Sequence, residues 1–386
     1  MTKARVLLAG LAVSAMAGPA WAGTNDVLIG LDSKIGFTDQ GQVNIKPGTD
    51  AVLVMDISNP EAPRIRASLP LANSLLGPPT NLQITPDGKL GLVANSVVHV
   101  QEGDTWKSVP DDKLWVIDLE ANPPKLIDTV TVHKQPSGLE ISRKGDLALI
   151  ANRAGKSVTV LAIDGAKVKV VGEVPLEQEA AGVAITPDGK RAFVVMNLVN
   201  KVAVLNIDGQ KVTYDKAMDI PAAFNPYNIA VTPDGKYAIA SATGAGGFNG
   251  DSLTVIDTGG PHPHVVALST AGTGAEGFAV APNGQWAVTP LLLGSSQKPS
   301  NYAYTKNGEA VLLAIGPGGE LRPTSRQPLG AVPEGLAFSP DSRYVYIGNY
   351  ADQDMQVFRI DDGKLVPVGG RIKLPGQPAS MRGVAR

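Results

Sequence analysis

The sequence predicts an all-β chain folded as a single ring of seven four-stranded antiparallel blades, a β-propeller closed by a composite blade that takes strands from both ends. Three observations predict it. First, six segments share one wording: Asn81 followed by LQITPDGK, Gly138 by LEISRKGD, Gly182 by VAITPDGK, Asn228 by IAVTPDGK, Gly277 by FAVAPNGQ and Gly335 by LAFSPDSR, with a partial seventh beginning at Gly383. Their spacing of about 50 residues is the period of a solenoid, propeller or array. Second, each unit runs through four short alternating apolar segments separated by turn residues, and no stretch longer than two helical turns carries apolar residues at helical spacing. Third, the 43 Gly and 30 Pro among 386 residues punctuate such a chain, yet stay below the share that marks a low-complexity one.

The N-terminal segment reads as an address. Lys3 and Arg5 precede an apolar or small run from Val6 to Ala17, and Ala20-Trp21-Ala22 has the small-x-small form of a signal-peptidase site. Residues 1–22 are therefore expected to be cleaved, with the mature single domain at 23–386 free in the periplasm or the medium. No later run is long and apolar enough to span a membrane. The formal net charge of −2 becomes more negative without Lys3 and Arg5, so no positive field draws nucleic acid. The absence of Cys excludes disulfides, thiolate metal sites and covalently attached haem. Stability must come from packing.

The blades follow in order. Blade one is expected to combine DVLIGLD, AVLVMDIS and RIRASLPL near the N-terminus with an innermost strand from Gly383–Arg386, because a ring that borrows a strand from each end leaves no edge unpaired. Blades two to seven start at the six repeat anchors. Asn closes the second strand of four of them (Asn95, Asn152, Asn197 and Asn349), whereas the fifth and sixth units read IASATG and VTPLLL there.

This wording, G-[LIV]-A-[VI]-[ST]-P-D-G-K, then the strand-end Asn, then V-x-V-[IL]-[DN], resembles the YVTN-type bacterial propeller repeat over essentially the whole mature chain. Similar propellers include surface-layer proteins, amine dehydrogenase large chains and lactonase-like enzymes, so the resemblance implies the fold and leaves the function open.

Within a blade, the turns after strands one and three share one face, and the inter-blade loops share the other with the loops between strands two and three. The latter are long at 33–50, 96–113 and 291–309, intermediate at 244–251, and short at 154–156 and 198–201. A rim tall over blades one, two, five and six but low over three and four suggests a cleft with an open flank. The residues just before the first strands should stand at the channel mouth: Thr80, Ser137, Ala181, Tyr227, Glu276, Glu334 and Arg382. Glu276, Glu334 and Arg382 then form a neighbouring arc that could bind a cation, pair internally or share one proton. The bland reading is that Pro-Glu-Gly-Leu-Ala is ordinary repeat wording.

His99, in the long loop of blade two, and His133, after that blade's last strand, are expected on the same face as a base or ligand. His262 and His264 read as a surface turn. No metal site or cofactor is indicated, because the histidines lack supporting spacing and there is no Asp-rich loop, nucleophile elbow, phosphate loop or dinucleotide fingerprint. Trp106, Phe248, Tyr302 and Tyr304 in the tall loops suit stacking on a ligand or packing of the loops themselves.

Two functions fit. One is a monomeric periplasmic binding or scaffold protein holding a small molecule or protein partner, with Glu276, Glu334, Arg382, Tyr227, His133 and His99 as its contacts. The other is implied by the resemblance: a lactonase-like hydrolase or cycloisomerase, in which Arg binds a carboxylate while His and Glu move protons. The chain lacks that family's Gly-Pro-Arg-His first-strand wording, and Leu76-Gly77-Pro78-Pro79-Thr80-Asn81 is its nearest approach. A quinone-dependent dehydrogenase large chain would need a partner carrying the cofactor.

Overall fold

A computed structural model describes residues 25–246 and 251–386. The expected leader, 1–22, and Phe248 lie outside the described residues. The chain forms seven antiparallel sheets of four strands in radial order, innermost first. In blade two, for example, these are Leu82–Ile84, Leu90–Glu102, Thr105–Asp118 and Lys125–Thr131. Blade four is the exception: a 3-10 turn at Lys216–Met218 splits its outer strand into Lys211–Tyr214 and Ile220–Pro221, both paired to Lys201–Asp208. Alternation places Val, Leu, Ile and Ala of the middle strands between neighbouring blades, where most are fully buried.

The repeat wording has a mechanical reading at the turns. In the Thr-Pro-Asp-Gly-Lys form, the Thr85 hydroxyl bonds Asp87 at 2.6 Å and accepts the Leu90 amide at 3.0 Å. The same bracket recurs at Thr186, Thr232 and Ser339. Gly88, Gly189 and Gly235 supply the left-handed backbone of the turn, a conformation that Ser342 adopts in blade seven at φ 63°. The strand-end Asn152 and Asn349 side chains reach across the following loop, Asn152 to Ser157 and Thr159, Asn349 to Asp354.

Ring closure follows the expected plan with one correction. Blade one is built from Gln377–Arg382, Asp26–Asp32, Ala51–Asp56 and Arg64–Leu69, in that order. The C-terminal strand is thus six residues earlier than the Gly383–Arg386 expected from the wording GVAR. The residues after it bond to blade two instead: the Ile84 amide donates to Gly383 O, the Ala385 amide donates to Ile84 O, and Val384 forms a parallel bridge with Ile84. The C-terminal residues are thereby tied to a second blade.

The inner strands approach one another closely. The Gly138 amide of blade three donates to Ala181 O of blade four at 2.9 Å, and the Leu139 amide donates back to Thr80 O of blade two at 3.0 Å. A Cβ on Gly138 would sit 2.5 Å from Ala181 O, and one on Gly335 only 2.3 Å from the Met381 amide. Gly335→Ala is therefore expected to cost about 3 kcal/mol in equilibrium denaturation, because the obstacle is backbone that cannot step aside. Gly370→Ala on an outer strand, where nothing lies within 4 Å, should change stability by less than about 0.5 kcal/mol. Equal costs would remove the close approach as a constraint.

Candidate functional site

The mouth on the long-loop face holds a cavity of about 280 Å³. Its floor comes from the segments that lead into the inner strands of blades five, six and seven, which place Tyr227, Glu276 and Glu334 side by side around it. In each of these segments the residue two positions ahead of Tyr227, Glu276 or Glu334 has a left-handed backbone: Asn225 at φ 56°, Gly274 at 74° and Val332 at 52°. For Val332, a β-branched residue immediately before Pro333, this is a strained conformation. It is held by the Val332 amide donating to Ser295 Oγ at 2.9 Å and the Tyr350 amide donating to Val332 O at 2.9 Å. The strain aims Glu334 inward.

Glu334 is only 3% exposed, and its Oε2 has no hydrogen-bond partner. Burial holds its carboxyl well above the usual range, and the neighbouring Glu276 charge pushes it further. Glu276 retains an opening to the cavity; burial raises it to about 7, against a smaller opposing pull from Arg153. Tyr227 is held well above its ordinary value, mainly by burial, against a smaller opposing pull from Arg153. The Arg153 guanidinium lies 5.6 Å from the Tyr227 ring centroid, within cation–π reach, and 3.7 Å from the Glu179 carboxylate. Its buried Nε has no partner. Of these two orphaned atoms only the acid's belongs to a residue that lines the cavity; Arg153 stands behind the lining, beside Tyr227.

The walls come from the tall loops. Residues 33–50 contain a small hairpin, Ile35–Thr38 with Gly41–Asn44, whose Phe37 and Gln42 lean over the cavity. A buried ion cluster roots it: Lys34 pairs with Asp32 at 2.9 Å and with Asp50, and also donates to Asn73 O. Tyr350, which packs edge-on to Phe37 and donates to Ile35 O, fixes the hairpin to blade seven.

Three expected site residues stand elsewhere. Arg382 is at the other end of its strand: Ala379 occupies the place that Glu334 holds in blade seven, and the Arg382 guanidinium bonds Glu140 and Leu139 O, both at 2.6 Å. His99 is not in a loop, because residues 96–113 continue the two middle strands of blade two as a hairpin. Its ring, 9% exposed, bridges that hairpin to blade one through Ile45 O and Ser108 Oγ. His133 lies at the outer rim beside Glu173, at 3.4 Å. Glu276, Glu334 and Tyr227 are brought together as expected. Arg153 went unrecognised; aligning the residue after each second strand, as well as the one before each first strand, singles it out, since Ser33, Ser96, Leu198, Thr243, Leu292 and Tyr350 occupy its place in the other blades. His262 lies in the exposed turn expected of the pair, and His264, also exposed, begins the outer strand of blade five. No group of His, Asp or Glu suited to a metal ion occurs among the described residues.

No family model matches the chain, and no curated protein matches it in sequence. Solved structures do match its shape. A candidate 6-phosphogluconolactonase of Bacteroides uniformis superposes with a TM-score of 0.68 at 16% identity, covering 92% of this chain and 99% of that one. The periplasmic gluconolactonase of Pseudomonas aeruginosa gives 0.65 at 18%, covering 92% and 98%. The hydrazine synthase of Kuenenia stuttgartiensis gives 0.62 at 18%, covering 80% and 90%. At these identities the likeness is one of fold, a seven-bladed propeller similar to lactonase-like proteins. No helix among the described residues is long and apolar enough to cross a membrane.

The buried carboxyls carry a pH signature. Below pH 4.5, its ordinary value, the Glu276 carboxyl is neutral both folded and unfolded, and burial costs nothing through ionisation. As pH rises the unfolded chain ionises freely while the folded one resists until about 7, so stability is lost across that window. Glu276→Gln is expected to match the parent at pH 4 and to exceed it by up to about 3 kcal/mol at pH 8. Denaturation midpoints at the two pH values check this, and a gain that does not vary with pH would contradict it.

Proposed function

We propose that the loop-face cavity binds a small polar ligand over the Glu276–Glu334 pair and hydrolyses it, the substrate being a lactone. One observation carries this reading: two buried carboxyls with separated proton affinities, beside an arginine, at the floor of an open cavity. Such a pair holds one proton between them near neutral pH, so one member serves as base and the other as acid. Glu276 takes a proton from water as its oxygen bonds to the lactone carbonyl carbon. Glu334 gives its proton to the ring oxygen as the carbon–oxygen bond breaks, and the product is the open hydroxy acid. Proton return from Glu276 to Glu334 restores the pair. Arg153, whose charge acts on Glu276 from behind the cavity lining, is the cation available to offset charge developing on the carbonyl oxygen. The fold likeness to lactonase-like propellers supports the substrate class. The family's histidine has no counterpart in this arrangement.

A second reading, a binding protein without turnover, is favoured by the exposed apolar residues around the mouth: Tyr302 is 90% exposed and Phe224 62%. We also propose that the protein is a monomeric YVTN-type propeller, exported to the periplasm or medium and starting at Gly23.

On a panel of lactones, the parent should hydrolyse at least one with kcat/KM rising through an apparent pKa near 7, the value for Glu276. Glu276→Gln and Arg153→Ala should each lower kcat/KM at least about 100-fold, whereas Arg382→Ala should leave it unchanged. If no lactone turns over, yet a ligand binds and Arg153→Ala weakens it, the binding reading stands. N-terminal sequencing of secreted protein should begin at Gly23; an intact N-terminus in the cytoplasm would overturn the export proposal.

A further inference from the structure

The central channel is divided. Thr80 Oγ1 of blade two donates to Asn228 Oδ1 of blade five at 3.5 Å, across the axis. Beyond this contact lies a second cavity of about 170 Å³ that opens on the opposite face, among the short turns. Its wall is two-sided. At one level blades one, two and three present Arg382, Gln83 and Glu140, which bond to one another. At the same level blades four to seven present only alanine: Ala184, Ala230, Ala279 and Ala337.

The rim departs from the proline wording in two blades: blade three, and blade one, where Ala385 is followed by Arg386, a second arginine that also lines the opening. Where the turn wording places Pro86, Pro187, Pro233, Pro282 and Pro340 around the opening, blade three has Arg143. Its guanidinium reaches past blade four and donates to Pro233 O of blade five at 2.8 Å, so it lies over the opening with most of its donors unspent. Among the described residues no carboxylate pairs with it, and burial holds it below its ordinary value. An arginine that crosses an apolar rim costs desolvation that a proline would not, and an anion drawn from solvent offsets it. Glu140, deeper in the same cavity, disfavours a doubly charged anion. The alanine side suits an apolar body.

From this juxtaposition, we infer that the turn-face end of the channel is a binding site for a small organic monocarboxylate, its carboxylate on Arg143 and its apolar body against the alanines of blades four to seven. The site is separate from the loop-face cavity and does not depend on the activity proposed there.

Benzoate tests it. Titration of the mature chain by calorimetry, with alanine-methyl NMR, should show saturable binding that shifts the methyls of Ala230 and Ala279. Arg143→Gln should weaken binding at least tenfold, Arg143→Lys less, and Glu276→Gln not at all. Inorganic phosphate should bind at least tenfold more weakly than benzoate. The inference is overturned by no binding at millimolar benzoate, by equal affinity in Arg143→Gln, by phosphate binding as tightly as benzoate, or by a loss in Glu276→Gln that places the anion at the loop face.

Discussion

The close approach of neighbouring inner strands is the constraint on which the rest depends. Where Gly138 meets Ala181 and Gly182, Gly182 meets Tyr227 and Asn228, and Gly335 meets Ser380 and Met381, backbone lies against backbone, and a Cβ would be excluded at Gly138 and Gly335 and tight, at 3.0 Å, at Gly182. Seven blades can close around a narrow channel only if this contact is made at each junction by glycine or by a residue whose side chain is turned aside. The residue immediately before that contact then has no freedom to enter a blade. It is delivered to the mouth, and its identity is therefore available to chemistry without cost to the core. In blades six and seven that residue is glutamate.

Placing two carboxyls on such a rigid floor sets their proton affinities by geometry. Burial outweighs the attraction of Arg153 at Glu276, and at Glu334 burial and the neighbouring carboxylate act in the same direction. The penalty, roughly 3 kcal/mol at Glu276, is a sizeable part of a domain's typical stability of about 5–15 kcal/mol. It is tolerable here because the scaffold that imposes it is extensively buried and closed at both chain ends. Val332 tells the same story in the backbone: a β-branched residue at positive φ is held by contacts from blade six and from Tyr350, so the fold spends stability where the carboxyls are aimed.

Much of this was legible from residues alone. Turn chemistry repeats with the blades, so strand order, blade number, the composite closure and the placing of Glu276, Glu334 and Tyr227 all follow from the wording. The register of the last strand did not, because the chain offers two candidates. GVAR copies the apolar wording of a first strand, whereas Gln377–Arg382 carries Ser380 where most blades have glycine or asparagine; hydrogen bonding to Asp26–Asp32 selects the second. Arg382 moved to the far end of the channel as a result. His99 was misplaced for a different reason: a long interval between strands was read as loop, although its alternation continues the strands to Glu102 and from Thr105. Arg153 is not marked by the wording, because it adjoins one of the short loops, whereas the candidate residues come from the tall loops and from the positions before the first strands.

The division of the channel at Thr80 and Asn228 has a structural consequence of its own. Asn228 stands where four other blades have glycine, and its amide also donates to Phe278 O of blade six, so one side chain both substitutes for the close contact and reaches across the axis to Thr80. A ring with an open bore would let water and ions reach the buried carboxyls from below and soften their desolvation. The contact narrows the bore beneath Glu276 and Glu334, whose burial raises both carboxyls. The same contact leaves the turn-face end as a pocket with its own polar and apolar sides. The two ends of one repeat architecture are thus free to carry unrelated chemistry, with Thr80 and Asn228 as the inner wall of the turn-face pocket.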